Sequence, residues 1–224
     1  VLVALVNVPA LHTAQSYFQA QSSFKFEMNL SYKVTDVVME HGAGKPCLIF
    51  CHSRRSTMAT ASVLGQALPR LGAPQDRARL AAGGSSLLEV KLRELVTGCG
   101  VGYHHAGLSQ ADKKLVEELF GRGLLPVLAC TSTLALGVNL PAHLVVIKGT
   151  EQYSGGQMRE YSESAILQMS GRAGRVQFGD KEATVVIMTK EENRGRYECL
   201  MEGGKVVQSC LLEHLHEHLN AEIV

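Results

Sequence analysis

The chain contains 224 residues, of which 46% are hydrophobic, 19% are charged and 5% are aromatic. This balance is typical of a globular protein and excludes a disordered tail or a collagen-like repeat, and the length predicts one domain with part of a second at about 150 residues per domain. The formal net charge is +1, so any anion-binding site must depend on locally placed cations.

The six cysteines are scattered, and at least three of them lie in apolar, strand-like runs. We therefore expect reduced core thiols of an intracellular protein, without a disulfide framework. The apolar runs are far shorter than the ~20 residues of a membrane helix, so no membrane partner is expected. The sequence begins at Val1 without an initiator methionine, and we expect it to be a fragment or an excised domain.

Residues 1–23 have no clear period, and we expect a connector or an unassigned linker there. From about residue 46 the pattern becomes regular. Short apolar runs predict strands at residues 46–51, 101–104, 125–130, 143–147 and 183–189. Amphipathic stretches predict helices at residues 56–68, 85–97, 109–120, 162–169 and 191–201, the third with a capping-box-like start at Ser109 and Asp112.

Strands that are apolar throughout and alternate with helices predict an α/β fold. Its sheet should be mainly parallel and covered by helices on both faces. In such a fold the functional loops leave the carboxyl ends of the strands. The polar, glycine- and arginine-rich segments of this chain follow the predicted strands at those positions.

The sharpest segment is residues 168–175, with the sequence QMSGRAGR. It places two arginines three residues apart, each after a glycine, at the end of a predicted helix. Glycine lets the backbone approach a ligand closely, and guanidinium groups hold phosphate oxygens through two hydrogen bonds. An arginine so placed can neutralise charge on a phosphoryl group during transfer. The alternative is a solvated basic loop.

Two further polar segments follow strands. Residues 131–142 begin with three hydroxyl side chains, which can donate to phosphates, although a helix cap followed by a turn is an equal alternative. Residues 102–108 contain the pair His104 and His105. Because no Asp, Glu or Cys cluster lies near this pair in sequence, we expect a backbone-shaping or phosphate-contacting loop and no metal site.

Two other patterns are rejected. Residues 42–46, GAGKP, lack the first glycine and the hydroxyl of a phosphate-binding P-loop, and they precede a strand instead of following one. Residues 214–218 match the H-x-x-E-H spacing of some zinc peptidases. However, Leu211, Leu215 and Leu219 form a helical stripe typical of core packing, so zinc hydrolysis stays a minor alternative.

Taken together, these segments resemble the second RecA-like domain of superfamily 2 helicases. In chain order they are similar to motifs IV, IVa, V and VI of that family, at Pro46–Thr57, Tyr103–Leu108, Thr131–Ala142 and Gln168–Arg175. The forms YHHAGL and GVNLPA point to the branch with archaeal repair helicases and the RNA-exosome and spliceosomal helicases. Residues 24–27, FKFE, and three later segments are most similar to the meiotic crossover helicases, which are ATP-dependent DNA helicases.

The resemblance implies a RecA-like domain at residues 24–203 and the start of a winged-helix domain at residues 204–224. It implies that Gln168, Arg172 and Arg175 face the γ-phosphate of ATP, with Arg175 as the arginine finger. Gly137 and Asn139 would lie near the nucleotide. ATP and Mg²⁺ would be held mainly by the first RecA-like domain of the same protein.

The resemblance also implies a track for single-stranded or branched DNA and a nuclear location. The residues expected to line that track are Ser53, Arg54, His105, Gly107, Thr131, Ser132 and Thr133. Residues 148–162 occupy the place of a strand-separating β-hairpin, on which Tyr153 would stack against the last base pair. An ordinary surface loop is the alternative for this segment.

Helicase motifs I and II are absent, so we expect that this chain alone does not hydrolyse ATP. Two other readings stay open. One is an RNA helicase or remodelling subunit of the same branch, because both nucleic acids are tracked by their backbone. The other is a non-catalytic module that binds nucleic acid or acts as a scaffold.

Overall fold

The computed structural model describes residues 2–7, 19–42, 44–68, 74–138, 140–154, 156–174 and 183–202. The chain divides into two compact units, Val1–Arg194 and Gly195–Val224. Within the second unit the described residues are 195–202, which form most of one helix and the turn after it. The expected winged-helix segment, residues 204–224, lies outside the described residues, and so does the H-x-x-E-H segment.

Eight strands are described: β1 (Leu2–Asn7), β2 (Cys47–Cys51), β3 (Val101–His104), β4 (Val127–Thr131), β5 (Leu144–Lys148), β6 (Glu151–Ser154), β7 (Gln157–Glu160) and β8 (Thr184–Thr189). Six of them form one sheet in the order β1-β8-β5-β2-β4-β3, and every neighbouring pair is parallel. Strands β6 and β7 pair antiparallel as a separate hairpin. The five predicted strands are confirmed as β2, β3, β4, β5 and β8.

The described helices are α1 (Gln19–His41), α2 (Arg54–Ala67), α3 (Pro74–Gly84), α4 (Val90–Cys99), α5 (Gln110–Gly121), α6 (Thr133–Gly137), α7 (Glu163–Ser170) and α8 (Arg194–Met201), with a 3-10 helix at Glu191–Asn193. The predictions for α2, α5, α7 and α8 are confirmed. The helix predicted at residues 85–97 begins later, since residues 85–89 form turns before α4. Helices α1, α3 and α6 and strand β1 were not predicted.

Helix α1 presents an apolar stripe to the protein interior. Leu30, Val34, Val37 and Val38 are buried, at the spacing that places residues on one helical face. Tyr32 on the same helix is exposed. The stripe makes α1 part of the first unit's core, although its first turns are rich in Gln and Ser.

The sheet is buried as a parallel sheet between helices should be. Strands β2 and β5 are buried at every position, and β4 is buried up to Thr131. Such continuous burial explains why these strands are apolar throughout instead of alternating. Five cysteines among the described residues are free, and Cys210 lies outside them. No helix in the described part of the chain is long and apolar enough to cross a lipid bilayer.

Ser109 is the N-cap residue of helix α5, as predicted, and its hydroxyl accepts a hydrogen bond from the Asp112 amide at 3.0 Å. The Asp112 carboxylate does not complete a capping box. It accepts hydrogen bonds from the backbone amides of Leu88, at 2.7 Å, and Glu89, at 3.3 Å. Buried Asp112 therefore ties α5 to the start of α4.

The parallel register brings the strand ends to one edge. Cys51 at the end of β2 lies between Thr131 of β4 and Lys148 of β5, and Lys148 lies beside Met188 of β8. The segments that leave β2, β4, β5 and β8 therefore start from the same edge of the sheet. This edge carries most of the residues expected to contact nucleic acid.

Candidate nucleic-acid and nucleotide interface

The arginine-rich segment lies against the segment that follows β4. Ala173 forms a parallel β-bridge with Ala142. The Ala142 amide donates to the Arg172 carbonyl at 2.8 Å, and the Gly174 amide donates to the Ala142 carbonyl at 2.8 Å. The two segments predicted to face the nucleotide and the strand are thus joined by backbone hydrogen bonds.

The Arg172 side chain adds a second link between these segments. Its Nη2 donates a hydrogen bond to the carbonyl oxygen of Ala135 in α6. Arg172 is half-buried, whereas Gln168 on α7 is exposed. Gly137 is the last residue of α6, and the predicted residues Asn139 and Arg175 lie outside the described residues.

Hydroxyl side chains mark the end of β4, as the sequence indicated. The Thr131 and Thr133 hydroxyls form a hydrogen bond of 2.8 Å, and Thr133 is exposed. Ser132 precedes α6 as its N-cap residue, but its side chain does not cap the helix. The Ser132 hydroxyl is therefore not used to cap α6.

The loop after β2 and the loop after β3 approach each other. Ser53 caps α2 by accepting a hydrogen bond from the Ser56 amide at 3.1 Å, and exposed Arg54 begins the helix. A Cβ atom added to Gly107 would lie 3.2 Å from Arg54 Nη1 and 3.2 Å from His105 Nδ1. Glycine at position 107 therefore permits this close approach, which brings four of the predicted strand-binding residues together.

The two histidines are neutral parts of the core at neutral pH. His104 Nε2 lies 2.8 Å from Glu117 Oε1, and His104 Nδ1 is buried with no partner among the described residues. His105 stacks on Tyr103, with ring centroids 5.6 Å apart. Burial is the main cause that lowers the pKa of both imidazoles, and nearby Arg54 lowers that of His105 further.

The hydrogen bond at His105 Nδ1 determines what the other ring nitrogen can do. Because Nδ1 accepts from the Gly107 amide at 3.2 Å, the proton of the neutral ring is assigned to Nε2. This buried Nε2 donor has no partner in the described part of the protein. Because this atom is not exposed to solvent, the structure does not show how His105 would contact a strand, and that contact stays a prediction.

Strands β6 (Glu151–Ser154) and β7 (Gln157–Glu160) pair as an antiparallel hairpin. Tyr153 lies opposite Met158, and the two residues are 69% and 51% exposed. Lys190 Nζ donates to Glu151 Oε1 at 2.7 Å, a hydrogen bond that raises the pKa of Lys190. The hairpin base is therefore fixed by an ion pair while its two large apolar side chains face solvent.

Sequence reasoning missed a buried ion pair at the same edge of the sheet. Lys148 Nζ donates to Glu27 Oε1 at 2.6 Å, and Lys148 is buried. Both residues line a cavity of about 370 Å³, which also contacts His52, Thr150 and Met158. The available signal was a lysine that directly follows the apolar run His143–Ile147, a position where a buried cation needs a partner.

Metal-binding side chains do not cluster in the described ranges. No group of three His, Cys, Asp or Glu residues there is close enough to hold a metal ion. In particular, the His104 and His105 pair is engaged with Glu117, Tyr103 and Gly107.

Comparison with known proteins gives a consistent family assignment. The helicase conserved C-terminal domain matches residues 31–177, a range that contains all four motif-like segments. The probable ATP-dependent DNA helicase HFM1 of Mus musculus is 49% identical over 92% of this chain and 14% of its own length. The ATP-dependent DNA helicase MER3 of Saccharomyces cerevisiae is 38% identical over 92% of the chain and 17% of its own length.

A relative named for another nucleic acid also matches. The DExH-box ATP-dependent RNA helicase DExH14 of Arabidopsis thaliana is 43% identical over 84% of the chain and 9% of its own length. The chain thus spans less than a fifth of each of these relatives. The resemblance read from the motifs is confirmed, and the chain belongs to the helicase conserved C-terminal domain family.

Proposed function

We propose that this chain is the second RecA-like domain of an ATP-dependent DNA helicase that unwinds duplexes in the nucleus during meiotic recombination. The observation that carries the proposal is the joining of residues 131–142 to residues 168–174 through the Ala142–Ala173 bridge and the Arg172 side chain. If the arginine segment contacts a nucleotide, these links connect that contact to the hydroxyl side chains at the end of β4. Such coupling is what a motor needs to convert nucleotide binding into movement along a strand.

The nucleotide step places ATP between this domain and a first RecA-like domain. Gln168, Arg172 and Arg175 would face its γ-phosphate, with Arg175 as the arginine finger, and Gly137 and Asn139 would lie near the nucleotide. Guanidinium groups would stabilise the negative charge of the transferring phosphoryl group. Mg²⁺ would be held mainly by the first domain, where it would neutralise charge on the phosphates.

Movement follows from closure of the two domains. ATP favours the closed arrangement because it contacts both domains only there, and hydrolysis removes that preference. The link between Arg172 and Ala135 carries the closure to α6 and to Thr131, Ser132 and Thr133. Each cycle would shift the strand by about a nucleotide.

The strand track uses donors that recognise phosphate and not base identity. Arg54 supplies a charge, Ser53 and Thr133 supply hydroxyls, and Gly107 lets the loop that carries His105 lie close to Arg54. Contacts to phosphate are independent of sequence and weaken as salt rises. Exposed Tyr153 on the β6–β7 hairpin would stack on the last base pair and help to separate the strands.

RNA is the second candidate substrate. The 43% identity to a protein named as an RNA helicase supports it, and a phosphate track accepts both nucleic acids. The relatives named HFM1 and MER3, which match over more of the chain, favour DNA. A non-catalytic binding module is the remaining alternative.

The test joins this chain to a first RecA-like domain that supplies motifs I and II. We expect ATP hydrolysis that single-stranded DNA stimulates more than single-stranded RNA, and no hydrolysis by the 224-residue chain alone. Stimulation by RNA alone would favour the second candidate. Strand binding without any hydrolysis in the joined protein would favour the non-catalytic module.

A further inference from the structure

Lys148 is a buried cation whose protons are all used inside the protein. Its Nζ lies 2.6 Å from Glu27 Oε1, 2.8 Å from the Ser31 hydroxyl and 2.8 Å from the Thr60 hydroxyl. The Ser56 hydroxyl lies 3.4 Å from the same nitrogen, so the three protons of the ammonium group have four acceptors around them. The network joins α1, α2 and the end of β5 at the edge of the sheet where the proposed strand track lies.

Glu27 extends the network to the loop after β2. The Ser56 hydroxyl donates a hydrogen bond to the same oxygen, Glu27 Oε1, that receives the Lys148 proton. The other oxygen, Oε2, lies 3.6 Å from His52 Nδ1. The Glu27 side chain is 25% exposed, so the carboxylate lies between the buried lysine and the surface loop.

The residues that Glu27 contacts flank the proposed strand-binding pair. His52 immediately precedes Ser53, and Ser56 lies in the first turn of α2 after Arg54. The Ser53 hydroxyl already accepts from the Ser56 amide at 3.1 Å. The carboxylate therefore contacts both sides of the Ser53–Arg54 segment, whereas neither Ser53 nor Arg54 is part of the ion-pair network.

We propose that Glu27, held by Lys148, is a positioning residue that fixes the Ser53–Arg54 segment for contact with the strand backbone. The inference rests on the proposed function, because it assigns these two residues to strand binding. Fixing a loop before binding reduces the ordering cost that binding must otherwise supply. Lys148 anchors the carboxylate from the sheet, and Glu27 passes that fixed position to the loop through Ser56 and His52.

A merely structural network predicts different behaviour. If the network only stabilised the fold, a change to Ser56 would alter thermal stability but not the strand affinity of the molecules that stay folded. A positioning role predicts that strand affinity changes and thermal stability does not. Affinity for the strand falls while folding and the rate of the ATPase at saturating strand are kept.

The primary variant is Ser56→Ala in the joined two-domain protein. It removes the hydroxyl that donates to Glu27 and that lies 3.4 Å from Lys148 Nζ, but it leaves the Lys148–Glu27 pair and the Ser53 cap in place. The matched control is Ser62→Ala on the same helix, because the Ser62 hydroxyl donates within α2, to the Met58 carbonyl at 2.8 Å, and makes no other hydrogen bond among the described residues. Both changes replace a serine by alanine on α2, and only one of them contacts the network.

We measure the concentration of single-stranded oligonucleotide that half-saturates ATP hydrolysis. In Ser56→Ala we expect it to rise about tenfold, the lower end of what losing a hydrogen bond to a charged group produces, with kcat unchanged. Ser62→Ala should match the unaltered protein. Hydrogen exchange of the amides of residues 52–57 should become faster in Ser56→Ala only, and this readout does not require nucleic acid.

A second variant, Glu27→Gln/Lys148→Met, removes both charges together. Replacing both members of a buried ion pair by neutral side chains avoids the unpaired buried charge that a single change leaves. We expect the same loss of strand affinity as in Ser56→Ala, or a larger one. Unchanged affinity and unchanged exchange in Ser56→Ala would overturn the positioning role alone, whereas absence of strand binding by the unaltered protein would overturn the proposed function and the inference with it.

Discussion

Arg172 and Ala135 lie 37 residues apart in sequence, yet the Arg172 guanidinium donates a hydrogen bond to the Ala135 carbonyl oxygen. This bond joins the arginine-rich segment to the five-residue helix α6 at the end of β4. A helix this short has little stability of its own, because a single turn fixes several residues for few hydrogen bonds. Its position therefore depends on contacts such as the one from Arg172.

Replacing Arg172 by lysine should lower both the stability of the fold and the rate of strand-stimulated ATP hydrolysis. A lysine keeps the charge but lacks the planar fork, so it cannot hold Ala135 and a phosphate with the same geometry. We expect a loss of about 1–2 kcal/mol in the free energy of unfolding and a fall in strand-stimulated ATP hydrolysis. Urea denaturation and an ATPase assay measure these, with exposed Arg159→Lys as the control. Wild-type values for Arg172→Lys would show that the contact carries neither role.

Replacing Arg175 by alanine tests the arginine finger. In the protein with both RecA-like domains, we expect strand-stimulated ATP hydrolysis to fall by about a thousandfold or more, as for other arginine fingers. Binding of single-stranded DNA should stay near the wild-type affinity, because the finger acts on the nucleotide. The control is Arg77→Ala at an exposed position on α3. Normal turnover in Arg175→Ala would refute the finger role.

Five strands of the sheet could be predicted because each has a recognisable pattern in its own short segment of sequence. Each of the five predicted strands is a short apolar run between turn residues, and burial on both faces explains that composition. Strand β1 has the same local signal, because residues 1–6 are all apolar, yet it was not predicted because the residues that follow have no clear period. Only the structure shows that it pairs with β8, where Leu2 lies beside Thr184.

Of the helices that were not predicted, α1 has a local sequence pattern and α6 depends on a tertiary contact. Helix α1 does carry a signal, since Leu30, Val34, Val37 and Val38 recur at helical spacing, but the Gln- and Ser-rich residues before them obscured it. Helix α6 is only five residues long and is contacted by Arg172, so its formation depends on tertiary contact.

The candidate site, too, was predictable only in part from the sequence. The motif-like segments predicted which loops come together, and the Ala142–Ala173 bridge joins two of them. The Lys148–Glu27 pair was not predictable, because the two residues are 121 positions apart and each looks ordinary in its own segment. A lysine after an apolar strand indicates a buried cation, but only the fold identifies its partner.

Replacing Tyr153 by alanine should separate unwinding from folding. The Tyr153 side chain is 69% exposed, so its removal should change the free energy of unfolding by no more than about 0.5 kcal/mol. If the ring stacks on the last base pair, duplex unwinding by the two-domain protein should slow several-fold, while ATP hydrolysis on single strands is kept. Tyr153→Phe, which retains the ring, should unwind normally. Equal unwinding by the alanine variant would identify an ordinary surface hairpin.

Replacing Asp112 by alanine should cost more stability than replacing Ser109. The Ser109 hydroxyl makes one capping bond, and its loss typically costs about 1 kcal/mol. The buried Asp112 carboxylate accepts from the Leu88 and Glu89 amides, and its loss leaves both without that acceptor, at about 2–3 kcal/mol. Chemical denaturation of Ser109→Ala and Asp112→Ala compares the two. A larger loss in Ser109→Ala would mean that the link from α5 to α4 contributes little.

Acidification should destabilise the fold through His104 and His105. Burial lowers the pKa of both side chains below the ordinary value of 6.5, and a proton on His104 Nδ1 would be buried without a partner among the described residues. Below pH 6.5 the unfolded chain therefore binds more protons than the folded one, so stability falls as pH decreases from 6.5 towards the folded pKa values. The loss is at most about 1.4 kcal/mol per pH unit for each histidine.

Urea denaturation at pH 7.5, 6.5 and 5.5 measures this dependence. Between pH 7.5 and 6.5 the contribution of the two histidines should be small, and between 6.5 and 5.5 the free energy of unfolding should fall. His104→Asn, which cannot be protonated in this range, should show a shallower fall than the wild type, and so should His105→Asn. A wild-type free energy that stays constant down to pH 5.5 would mean that both imidazoles accept a proton in the folded state as readily as in the unfolded chain.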